Sequence, residues 1–188
     1  MSRAPREGSA TPRRKHTGLT IREITIFAML GALMAVSDLA MNILPNVHLV
    51  GVLTMVYTLA YRAKALFPIG VYLFLIGVFE GFGLWWLAYL YIWPILWGIT
   101  MLLPRRMPKK VAPFVYTLVC GLHGFAFGFL WIPAQMLLLS FSFKQALIWW
   151  SAGFLTADVP NGIGNLVGSV LIVPLVTVIR KLSTTRLR

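Results

Sequence analysis

Acidic residues are scarce in this chain. Five Asp and Glu stand against 17 Lys and Arg, and charged residues make up only 12% of the 188 positions. Soluble domains carry about 25%, so a surface wetted all round is excluded. Cysteine occurs once, as Cys120 within an apolar run. No intrachain disulfide can form, and a thiol there packs as a small inert hydrophobe. Motifs that carry chemistry are missing as well. There is no Walker A loop, so ATP hydrolysis by that route is excluded, and no H-E-x-x-H, G-x-S-x-G or C-x-x-C occurs. No histidine pair has metal-ligand spacing and no nucleophile–base pair is legible, so neither a metal, a cofactor nor catalysis is expected.

What the chain has is apolar length. Hydrophobic residues make up 59% of it and its mean hydropathy is +0.80, which marks an integral membrane protein. Several apolar runs approach the roughly 20 residues that cross a bilayer as a helix. The expected fold is an all-α bundle of six transmembrane helices. The spans read as Ile24–Leu44, Leu49–Tyr61 (short for a crossing), Ala65–Gly81, Leu84–Leu103, Val111–Leu139 and Asp158–Ile179. A short segment, Phe143–Phe154, lies between the last two. Its Trp149 and Trp150 suit a membrane interface. Residues 1–20, rich in Arg, Ser, Pro and Gly, cannot bury a core and are expected to be a disordered basic tail. That polar stretch does not read as a cleavable leader. Residues 21–182 form the membrane domain and 183–188 a short basic terminus.

The net charge of +12 would suggest nucleic acid in a soluble protein. Here the basic residues flank spans, so no nucleic-acid partner is expected. Arg3, Arg6, Arg13, Arg14, Lys15 and Arg22 precede the first span. Arg62 and Lys64 follow the second, and Arg105, Arg106, Lys109 and Lys110 the fourth. Arg180, Lys181, Arg186 and Arg188 follow the sixth. Lys144 alone falls on the other side. By the positive-inside rule both termini are cytoplasmic, and the expected location is the cytoplasmic membrane of a prokaryote.

This topology gives depth to the polar residues. Asp38 and Asn42 lie one turn apart in the outer part of the first span, with Asn46 and His48 just beyond Leu44-Pro45. Glu80 ends the third span. Asp158, Asn161 and Asn165 enter the sixth from outside on one face. His123 lies near the middle of the fifth span and Gln135 toward its outer end. An ionisable group in a membrane span is costly and points to function, so Asp38, Glu80 and Asp158 in one half suggest a single outward pocket. Each has a plainer reading. Asp158 before Val159-Pro160 suits a helix N-cap, Glu80 a solvated surface position, and His123 a hydrogen bond between helices.

The fourth span is the aromatic element. Trp85, Tyr89, Trp93 and Trp97 recur every four residues, forming a row down one side. Trp85 and Trp86 suit the membrane interface, whereas Tyr89 and Trp93 lie deeper, as pocket candidates for flat heterocycles or cations. Pro94 is expected to kink the span. In the first span Ala28, Gly31, Ala32 and Ala35 form a small-residue side fit for close helix contact. In the sixth, Gly162, Gly164, Gly168 and Ser169 either admit a neighbouring backbone or leave space for a ligand.

Together these features resemble the S component, the substrate-binding membrane subunit, of prokaryotic energy-coupling factor transporters. Ala28-x-x-x-Ala32 is similar to that family's docking motif, with Val36 where another alanine is usual. Pro45-Asn46-Val47-His48-Leu49-Val50-Gly51, Gly81-Phe82-Gly83-Leu84-Trp85-Trp86 and Gly162-x-x-Asn165 also look like that family. The resemblance implies high-affinity capture of a vitamin or related micronutrient from outside. It implies docking on a transmembrane coupling subunit with two ATPases, and uptake by toppling in the membrane. Three carboxylates, several aromatics and no Lys or Arg within a span favour a neutral or cationic heterocycle. A structural membrane scaffold and an intramembrane enzyme using paired carboxylates are the rival readings.

Overall fold

A computed structural model describes residues 18–43, 46–105 and 107–185. The tail through Thr17, Leu44, Pro45, Arg106 and the terminus from Arg186 lie outside the described residues. The described chain is helical, with no strand. Helix α1 (Ile21–Met41) starts at a capping box, in which the Thr20 hydroxyl accepts from the Glu23 amide and the Glu23 carboxylate accepts from the Thr20 amide. It is followed by α2 (Val50–Tyr61), a 3-10 turn at Arg62–Ala65, α3 (Leu66–Glu80) and α4 (Leu84–Leu102). Then come α5 (Ala112–Phe125), α6 (Phe127–Leu130), α7 (Ile132–Leu138) and α8 (Phe143–Gly153). A π-helical turn, Phe154–Asp158, leads into α9 (Val159–Gly168), and a 3-10 turn, Ser169–Leu171, into α10 (Ile172–Thr185).

The centre of the molecule is α2. Every residue from Val50 to Leu59 is buried, and a helix apolar round its whole circumference is suited to enclosure on all sides. Helices α4 and α10 pack on it most extensively, with α5, α1, α3 and α9 completing the jacket. Outside, the jacket is apolar too: Phe74, Phe114, Leu122 and Val170 all face outward. Four helical stretches are long and apolar enough to cross a membrane, or five if α5 and the α6–α7 pair, bent by 58°, count as one broken span. The chain is therefore a multi-pass membrane protein.

One join agrees with the sequence expectation and two differ. The run Val50–Glu80 counts as one stretch of 31 residues by length and apolarity, yet it is not one straight rod. A straight helix of that length would separate its ends by about 46 Å, whereas His48, just before α2, and Glu80, at the end of α3, border the same cavity. The reversal falls at Arg62, whose backbone has φ 57° and ψ −124°. Its guanidinium Nη2 donates to the Met101 carbonyl at 2.6 Å and its own carbonyl accepts from Trp97 Nε1 at 3.2 Å. The last span does not begin at Asp158. Helix α8 runs on through the π turn into α9 without a break, and the expected single span Val111–Leu139 bends after Phe125.

The small-residue side of α1 divides. Gly31 and Ala35 are buried within the chain. A Cβ on Gly31 would stand 2.6 Å from the Val71 side chain and 2.7 Å from the Pro68 carbonyl, so this glycine is what lets α1 lie against α3. These two positions are thus unavailable to an outside partner. Ala28 is exposed and Ala32 half-buried. In the same way α5 and α9 meet at Gly124 and Gly162, which assigns Gly162 to helix packing.

Candidate functional site

A cavity of about 560 Å³ opens at the end of the bundle opposite Arg62, within the usual range of small-molecule sites. Eight of the residues expected at the site line it: Asp38, Asn42, Asn46 and His48 from the end of α1 and its connection, Glu80 from α3, Tyr89 from α4, and Asp158 and Asn161 from the π turn and α9.

Short polar links hold the walls. On one side, Tyr72 Oη donates to Asp38 Oδ2 at 2.8 Å, and Asn42 Nδ2 donates to Glu80 Oε1 at 3.1 Å, tying the ends of α1 and α3. Across the mouth, Asn46 Nδ2 donates to the Thr156 carbonyl at 3.1 Å. Asn46 has φ 59°, a left-handed conformation that asparagine accepts more readily than most residues. On the other side, Asp158 spends both oxygens on the protein. Oδ1 accepts from the Gly128 amide at 2.6 Å and Oδ2 from Trp150 Nε1 at 2.9 Å. The N-cap reading of Asp158 is therefore wrong: its side chain makes no capping bond to α9. A π turn widens the helix locally and recurs at functional sites; here Ala157 and Asp158, both from that turn, line the cavity.

Three expected site residues do not line it. Trp93 is buried beneath, its ring 5.6 Å from His48 and from Phe127 and 5.7 Å from His123. His123 Nε2 lies 3.2 Å from the Ile92 carbonyl, as the interhelical reading anticipated. A carbonyl can only accept, so Nε2 carries the proton and Nδ1 is left as an acceptor. Asn165 Nδ2 donates to Asn161 Oδ1 at 3.2 Å and supports that residue from below. The reason is geometric. The aromatic row on α4 descends away from the mouth, so Tyr89 reaches the cavity and Trp93, a turn deeper, is roofed by Phe127.

Sequence reasoning missed much of the other wall. Phe127, Gly128, Trp131, Gln135 and Leu139 line the cavity from α6 and α7, and Trp149 and Trp150 from α8. A signal existed for the first group: Phe127, Trp131, Gln135 and Leu139 recur every four residues. The tryptophan pair on α8 reads equally as an interface anchor. Tyr72, which holds Asp38, carries no distinguishing pattern. No protein-family model, curated protein or solved structure matches the chain.

Among the described residues, three carboxylates and no Lys or Arg line the cavity. A unit charge about 5 Å from one carboxylate, at an effective dielectric of about 20, gains or loses about 3 kcal/mol, so an anion is disfavoured and a cation favoured. His48 lies in the connection outside the spanning helices. Burial, with His123 beside it, pushes its imidazole down to about 4, so it is neutral at pH 7 and adds polarity without charge. Among the described residues no three His, Cys, Asp or Glu gather as a metal site requires. Among the described residues the lining includes no Ser, Cys or Lys nucleophile. Rings and hydrogen-bonding groups round an open hollow are suited to holding a small flat molecule.

Proposed function

We propose that this protein captures a small molecule from outside a prokaryotic cytoplasmic membrane, as the substrate-specificity subunit of an energy-coupling factor-type importer. In this reading the bundle makes six crossings: α1, α2, α3, α4, the broken α5–α7 and the α9–α10 run, with α8 beside the mouth and both termini cytoplasmic. The reversal at Arg62 supports counting α2 and α3 separately, and the Lys and Arg distribution supports the orientation. The substrate is a vitamin or related micronutrient. Transport is driven by a coupling subunit and two ATPases, and the chain itself catalyses nothing.

The observation that carries the proposal is the large cavity, lined by polar residues from five separate segments of an otherwise apolar bundle. A scaffold has no use for such an expense of buried polarity. Purification of the tagged protein from its native membrane tests the assignment. The expected result is co-purification of one coupling subunit and two ATPases, with uptake abolished by Ala28→Trp while substrate binding persists. Turnover of a substrate by the isolated chain would contradict it and favour the enzyme reading.

A further inference from the structure

The two sides of the cavity treat their carboxylates differently, and this narrows the ligand. Each oxygen of Asp158 already accepts from a protein donor. Asp38 gives one oxygen to Tyr72, and its other takes no donor among the described residues. Glu80, exposed at the mouth, accepts among the described residues only from Asn42. Asp38, Glu80 and Tyr89 line the cavity together, and among the described residues no Lys or Arg lines it to offset the two carboxylates. Independently, Gln135 lines the same cavity, is only 8% exposed, and has its Oε1 buried with no partner. A buried acceptor of that kind calls for a donor.

Resting on the capture reading above, we infer that the ligand is a flat organic cation bearing N–H donors, an amidinium or aminoheterocycle in class. Its charge is set between Asp38 and Glu80 against the Tyr89 ring, and a ring-edge N–H is directed to Gln135 Oε1. Asp158 is a positioning residue that holds α8 to the Gly128 turn and leaves the ligand's charge to the opposite wall.

The test uses three probes of one shape and different charge, benzamidinium, benzamide and benzoate, titrated calorimetrically into the purified full-length protein. The expected order is benzamidinium tightest and benzoate weakest, with about tenfold or more separating the cation from the neutral amide. Glu80→Gln, at an exposed position that does not endanger folding, and Asp38→Asn each reduce that cation-to-amide ratio. Gln135→Leu, close in size, weakens amidinium and amide together and leaves their ratio unchanged. Benzoate binding as tightly as benzamidinium, or a ratio unmoved by both carboxylate variants, overturns the cation assignment while the capture reading stands. Binding of none of the three overturns both.

Discussion

The α1–α3 wall and the α8–π-turn wall enclose one cavity, yet they use the same chemistry to opposite ends. On the α8 side, Asp158 is buried and closes a local network with the Gly128 amide and the Trp150 indole. On the α1–α3 side, Asp38 and Glu80 are each held by one neighbour and keep capacity to spare. A carboxylate whose two oxygens are each engaged by its own protein fixes shape. One with oxygens left over, facing a cavity without cations, is available to a ligand. Identity of residue type therefore says little about role, and the count of internal partners says a great deal.

Substitutions sharpen this contrast. The largest effect is expected at Asp158→Ala, which leaves a half-buried amide and a half-buried indole N–H without their acceptor, at up to about 1–3 kcal/mol each. Thermal unfolding in detergent checks it, and the midpoint should fall by several degrees. Gly128→Ala should act through the same network, because a Cβ there would stand 2.6 Å from Asp158 Oδ2. The expected loss is about 1–3 kcal/mol from overpacking, read in the same melts. On the other wall, Tyr72→Phe removes one hydrogen bond to Asp38 and should cost about 1–2 kcal/mol of stability. Its stability effect should be smaller than that of Asp158→Ala. Glu80→Gln comes last in stability, within about 0.5 kcal/mol for an exposed position. A stability loss at Glu80 as large as that at Asp158 would erase the distinction between the walls.

The α1–α3 wall was legible in the sequence, whereas of the α8–π-turn wall only Asp158 was. Asp38, Asn42 and Glu80 stand out because charge and amide groups are rare and costly in apolar helices. The four-residue spacing on α4 likewise leads to Tyr89. The enclosure of α2 follows from a segment apolar all round and too short to cross alone, at about 18 Å for 12 residues. The turn at Arg62 agrees with the placement of the basic residues. By contrast, nothing local separates a tryptophan that lines a cavity from one that anchors at an interface, so Trp149 and Trp150 were read as the latter. The π turn adds one residue to a helical turn without a signature residue, which is why Asp158 read as the start of a helix. The bend after Phe125 falls inside a continuous apolar run, where Gly121, Gly124 and Gly128 fit close packing as well as a break. Trp93, His123 and Asn165 share periodicities with true lining residues and differ only in depth, which periodicity does not encode.

The measurement that bears most directly on the central claim is mass spectrometry of small molecules released from the purified protein, run beside Asp38→Asn and Glu80→Gln. The account predicts a nitrogen-bearing flat cation, one per wild-type chain, depleted in both variants. A bound anion, or a ligand retained undiminished in both, would contradict it.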